Sequence, residues 1–144
     1  MGQNTVIPPP NVESKFNILY PTAANIVWTP KNPSDTVQGV EFNCHCPEGS
    51  GHIILAFSLN GKVISKDVFI AKQDLPSGIT NYIQDNYPNN FNYAAIEKIY
   101  SGSDVVGYKI EMRQANADGT PATGGWTYIL RFKASGEFIS EEKR

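Results

Sequence analysis

The chain is poor in cysteine: 2 in 144 residues, Cys44 and Cys46. That is too few for the disulfide framework of a small secreted scaffold. It has no surplus of positive charge, with 12 Lys and Arg against 14 Asp and Glu and a net charge of −2. It therefore lacks the basic stripe of a dedicated nucleic-acid binder, and no nucleic acid is expected among its partners. No apolar run approaches the about 18–20 residues that cross a bilayer as a helix. Neither a Gly-x-Ser-x-Gly elbow nor a Gly-Lys-Ser/Thr phosphate loop is present. What remains is ordinary globular material, 40% hydrophobic and 18% charged, enough for a real core.

Self-similarity is the strongest positive signal. Val12, Phe16, Tyr20 and Pro21 match Ile79, Ile83, Tyr87 and Pro88, each pair 67 residues apart. Apolar residues at i, i+4 and i+8 make one face of an amphipathic helix. Each segment opens behind proline, Pro10 in the first copy and Pro76 in the second, and closes at Tyr-Pro, where proline bars continuation. Val40-Glu41-Phe42 then resembles Tyr108-Lys109-Ile110, now 68 apart, and the stretch from Ala56 to Ser65 matches Arg131 to Ser140, 75 apart. The step of seven falls in one hairpin loop, Pro47–Gly51 against Ala115–Gly125, as a duplicated fold should show.

Between these anchors the period is two. Val40, Phe42 and Cys44 alternate with Glu41, Asn43 and His45, and Tyr108, Ile110 and Met112 with Lys109, Glu111 and Arg113. Such alternation gives one dry face and one wet face. Asn60-Gly61 and Ser135-Gly136 read as tight hairpin turns. With short strands near Ile26–Thr29 and Tyr93–Tyr100, the unit is one helix followed by four antiparallel strands, used twice. The expected fold is α+β: two α-β4 repeats forming one antiparallel sheet with both helices on one face, where Phe16, Leu19, Ile79 and Ile83 meet Phe42, Leu55, Phe57, Ile110, Leu130 and Phe132. The expected division is an extended N-terminal leader at 1–10, a first repeat at 11–72 and a second at 73–144, together one compact domain.

A helix ending in Tyr-Pro, a Trp-bearing strand (Ile26-Val27-Trp28) and Phe-x-x-x-Gly-x-x-Ile twice (Phe57 to Ile64, Phe132 to Ile139) resemble the PepSY-like domains, with Asp74-Leu75-Pro76 ahead of the second helix. More specifically they resemble the tandem β-lactamase-inhibitor-like, PepSY-like proteins of Bacteroides-type bacteria. The resemblance runs from about Val12 to Glu142. It implies a fold like that of the β-lactamase inhibitory protein, no enzymatic activity, no cofactor, and export to the periplasm, the cell surface or the medium. It supplies no functional residues. Met1 to Pro10 has no basic segment followed by an apolar one, so it is not a signal peptide. An exported chain would have lost its leader, with or without a lipid anchor.

Three kinds of chemistry compete for the remaining residues. Cys44, Cys46 and His52 could hold a metal, because zinc takes N and S ligands in a tetrahedron. Cys44 falls in phase with core-side Phe42 while His45 points the other way, so the alternative is a half-buried strand carrying small apolar thiols. A mutual disulfide is awkward, because strand residues two apart sit about 6.5–7 Å from each other. Nucleophilic catalysis would need His45 or His52 beside a carboxylate and a nucleophile, and no such constellation stands out. The third candidate is the wet strand face, which would present Glu41, Asn43, His45, Lys109, Glu111, Arg113, Ile129 and Arg131. Mixed charge with an occasional apolar residue suits a protein or peptide partner, here one of the cell envelope. The Gly/Thr-rich loop Gly119–Gly125 reads as a mobile secondary binding element. The sequence thus points to a non-enzymatic, inhibitor-like binding module, with a metal-handling module at Cys44, Cys46 and His52 as the alternative.

Overall fold

The computed structural model describes residues 6–30, 36–44, 51–87 and 90–144. Helix α1 (Pro10–Leu19) is followed by β1 (Ala24–Trp28), β2 (Val37–Asn43), β3 (His52–Ser58) and β4 (Val63–Phe69). After a 3-10 turn at Lys72–Asp74 come helix α2 (Ser77–Asn86), β5 (Phe91–Ser101), β6 (Asp104–Gln114), β7 (Thr127–Lys133) and β8 (Phe138–Lys143). The strands form one eight-stranded sheet in sequence order, with α2 lying in the chain between β4 and β5. The class is α+β, a single antiparallel sheet with two helices.

By its contacts the chain divides into two compact units. One is Met1–Val68 with Tyr100–Ser103, the other Phe69–Ile99 with Asp104–Arg144. The helices obey the repeat closely. Pro9 precedes α1 at φ −56° and ψ 140°, and Pro76 precedes α2 at φ −55° and ψ 140°. The equivalent of Pro76 is therefore Pro9, 67 residues earlier, and Pro10 is the first helical residue, where its missing N–H costs nothing. Tyr20 and Tyr87 end the helices at φ −133° and −131°, each N–H donating to the carbonyl four residues back at 2.8 Å. Pro88 lies outside the described residues.

In the first unit the helix stripe Val12–Phe16 is fully buried. The Phe16 ring meets Trp28 at 5.3 Å and Phe42 at 4.9 Å, both edge-on, and Tyr20 lies 4.7 Å from Phe42. Val40, Phe42, Ile53, Leu55, Phe57 and Val68 complete this core. Gln38 is also buried there, and its Nε2 donates to Thr29 O at 2.7 Å and Gly39 O at 3.1 Å, which offsets the cost of burying the amide donors. In the second unit Ile79 and Ile83 meet Tyr108, Ile110, Met112, Leu130 and Phe132. The Tyr87 hydroxyl donates to Glu141 Oε1. Burial pushes the Tyr87 hydroxyl up from its ordinary range, and the bond to Glu141 pushes the same way.

Leu19 departs from expectation: it is 42% exposed. The Val12–Phe16–Tyr20 stripe takes the strand side, and Leu19 falls beside it on the flank of the last turn. The turn glycines have a stricter role. Gly61 sits at φ 89° against the first turn of α1, where a Cβ would lie 3.4 Å from Asn11 O, and the Asn11 amide donates to Leu59 O at 2.7 Å. Gly136 at φ 94° faces Ile79 in the same way.

The long loop of the second unit is not loose. Asn92 donates to Gly119 O at 2.9 Å, Ala115 pairs with Pro121, and Trp126 N–H donates to the Gln114 side chain at 3.1 Å. Asp118 accepts from the Thr120 hydroxyl at 2.6 Å and from its N–H at 3.0 Å. These two bonds hold the Asp118 carboxyl below the usual carboxylate range. Polar side chains thus brace the loop expected from the sequence to be mobile.

Two outcomes follow. Phe16→Ala should cost about 3–5 kcal/mol in urea unfolding, whereas Leu19→Ala should stay within about 0.5 kcal/mol of the parent. Because the Asp118 carboxyl is lowered in the folded state, its bonds are intact above the usual carboxylate range and fail as pH falls through the lowered value. Thr120 amide protection from hydrogen exchange should drop over that acid range in the parent and be low at every pH in Asp118→Ala.

Candidate functional site

On each unit register fixes the rows of the strand face turned away from its own helix, mixed polar and apolar in the first unit and mainly polar in the second. In the first unit Val27 lies opposite Glu41, Glu41 opposite Ile54, and Ile54 opposite Asp67. Residues paired this way share a face, while Val40 and Phe42 point to the core. Asn43 lies opposite His52, and the His52 Nε2 meets Glu41 Oε2 at 3.2 Å while Nδ1 meets Asn43 Oδ1 at 2.9 Å. The two predicted residues Glu41 and Asn43 are therefore joined by a third, His52, which sequence reasoning placed elsewhere. Both ring nitrogens thus lie within hydrogen-bonding distance of a side-chain oxygen. Cross-strand register places the ring there: Cys44 N–H donates to Gly51 O at 2.8 Å, and His52 comes across from Asn43.

The metal alternative meets two obstacles here. His52 is turned to Glu41 and Asn43. Cys44 is disulfide-bonded, so its sulfur is no thiolate donor. The expectation against a disulfide assumed that Cys44 belongs to an extended strand, but β2 ends at Asn43. His45 and Cys46, the sequence's other cysteine, lie outside the described residues. Among the described residues no group of three His, Cys, Asp or Glu is arranged to hold a metal ion.

In the second unit Lys109 lies opposite Arg131, Glu111 opposite Ile129 and Arg113 opposite Thr127. All five predicted residues of this unit, Lys109, Glu111, Arg113, Ile129 and Arg131, thus stand on one face. Ile129 is only 6% exposed, its cross-strand neighbours being Glu111 and Glu142, so it is a poor contact residue despite its position. Arg113 Nη2 pairs with Glu111 Oε2 at 3.1 Å. Lys109 Nζ lies 3.7 Å from the carboxylate of Glu97, a buried acid that the sequence did not single out. Arg131 is exposed, between Lys109 on one strand and Ser140 on the other. Among the described residues no carboxylate lies within ion-pair distance of it. Like charges directly across a ladder repel. Glu97 relieves Lys109, and Arg131 keeps an unneutralised guanidinium with its planar fork toward solvent. Nearby at the sheet's end, Lys143 lies 4.1 Å over the half-exposed Trp126 ring.

No protein-family model matches the chain, and no curated protein sequence does. Solved structures do match. A BLIP-like protein from Bacteroides fragilis superposes with a TM-score of 0.66 at 15% identity, covering 97% of this chain and 89% of that one. A DUF2874 family protein from Bacteroides ovatus gives 0.69 at 18% identity, covering 96% and 89%. A proposed periplasmic protein from Bacteroides eggerthii gives 0.72 at 14% identity, covering 96% and 90%. The names of these neighbours do not carry the PepSY-like label, and likeness at such identities speaks for the fold alone. Helix, four strands, helix and four strands, in one sheet ordered as the chain runs, are thus the BLIP-like fold that this chain shares with the Bacteroides structures.

Proposed function

We propose that the chain is a non-enzymatic, exported binding module that docks a protein or peptide of the cell envelope on the polar strand face of its second unit. The observation that carries the reading is Arg131, an exposed guanidinium that faces Lys109 and has no carboxylate partner among the described residues. A partner's carboxylate would neutralise it bidentately, and charge-assisted bonds of this kind contribute about 1.5–3 kcal/mol. The Glu111–Arg113 pair beside it sets a mixed-charge rim that favours one docking register over others. Export is supported by the disulfide at Cys44, since disulfides persist in oxidising compartments, and by the periplasmic description of one structural neighbour. An inhibitor-like role is supported by the BLIP-like name of another.

The test is capture from an envelope extract by the immobilised chain, followed by titration of the captured partner. Arg131→Glu with Arg113→Glu should weaken binding by about 10–100-fold, the equivalent of one charge-assisted contact. Binding that is unchanged by both reversals removes this face from the account.

A further inference from the structure

The duplication provides an internal comparison at a second place, between each helix and the turn joining the last two strands of its unit. In the first unit a groove of about 680 Å³ runs there, lined by Asn11, Lys15, Leu19, Asn60, Lys62 and Val63. Counted along the repeat, Lys15, Leu19, Lys62 and Val63 correspond to Tyr82, Asn86, Glu137 and Phe138. In the second unit Tyr82 stacks on Phe138 at 4.8 Å with the rings 13° apart, and stands edge-on to Phe132 at 5.5 Å. That pair fills the place, leaving a recess of about 380 Å³ lined by Tyr82, Asn86, Tyr87, Phe138 and Glu141.

The chemistry differs as well as the volume. Glu137 is neutralised by Lys133 at 3.2 Å. Its counterpart Lys62 and the other lysine, Lys15, are both exposed, and among the described residues neither has a carboxylate within ion-pair distance. One polar group of each neighbouring asparagine is committed internally. Asn11 donates to Leu59 O at 2.7 Å, and Asn60 Oδ1 accepts from Lys62 N–H at 3.2 Å. The groove's lining combines two apolar side chains, Leu19 and Val63, with two ammonium groups, those of Lys15 and Lys62.

We propose that this groove binds an acidic, aliphatic peptide segment of a partner protein, seating an aliphatic side chain on Leu19 and Val63 and a carboxylate between Lys15 and Lys62. The two lysines, which have no carboxylate partner among the described residues, specify the sign of the occupant. The site is on the first unit and does not depend on the reading of Arg131.

The test uses the full-length chain labelled with 15N and titrated with acetyl-Leu-Glu-Leu-Glu-amide. The amides of Lys15, Leu19, Gly61 and Lys62 should shift together. The peptide with Gln in place of Glu should bind at least about tenfold more weakly, and so should the peptide to Lys15→Glu/Lys62→Glu. Lys15→Tyr/Val63→Phe, which builds the second unit's filling into the first, should abolish the shifts. The charge-reversal variant decides alone if the filled one does not fold, since both lysines are exposed. The proposal is overturned by shifts that are absent, that map elsewhere, that survive the substitutions or that are equal for the Gln peptide. Inorganic phosphate binding as well as the peptide would mark a bare anion patch, and octanoate binding more tightly would mark an amphiphile site; either also overturns it.

Discussion

Each helix lays one narrow apolar stripe on the strands of its own unit, and that contact decides which face of those strands is dry. In the first unit the stripe is Val12 and Phe16, with Phe16 edge-on to both Trp28 and Phe42. In the second it is Ile79 and Ile83 against Ile110, Met112, Leu130 and Phe132. Strand side chains alternate, so once Val40 and Phe42 are committed inward, Glu41 and Asn43 have nowhere to go but the other face. The same parity sends Lys109, Glu111 and Arg113 outward. The candidate interaction residues are thus consequences of the core.

The two copies solve the same packing problem with different side chains. The first puts its aromatic bulk under the middle of the helix, in Phe16, Trp28 and Phe42. The second has Ile83 in place of Phe16 and Ala95 in place of Trp28, and shifts its rings outward to Tyr82 with Phe138 and to Tyr87 with Phe91 and Tyr128. The location of the aromatic rings moves between the copies, as cores tolerate. The move has surface consequences. Where the second unit has rings, the first has a groove with lysines at its edges.

Much of this was legible in the sequence because the repeat constrains it twice. Two independent Tyr-closed stripes at one spacing give the helices, and two alternating sets give the strands. Helix boundaries at Leu19 and Asn86 follow from local stereochemistry. Leu19 itself was misjudged because an i, i+3 neighbour of Phe16 is compatible with the core in a wide stripe, and only the width of the real contact excludes it. His52 was read with the cysteines because sequence proximity favoured that grouping. Its partners Glu41 and Asn43 are set by cross-strand register, which no local pattern contains. The disulfide at Cys44 depends on where β2 stops, and the closure of the loop around Asp118 on side-chain hydrogen bonds; neither has a periodic signature. Glu97 was invisible for a similar reason, since its pairing with Lys109 links strands whose register is a tertiary property.

The account rests on the assignment of dry and wet strand faces, and residue-resolved oxidative footprinting of the native chain addresses it directly. Met112, fully buried beneath α2, should resist oxidation together with Phe16, Phe42 and Phe132, while half-exposed Trp126 and exposed Val27 and Ile139 react readily. Rapid oxidation of Met112 in the folded chain, with Val27 protected, would mean that the faces are reversed and that the proposed docking surface is the core.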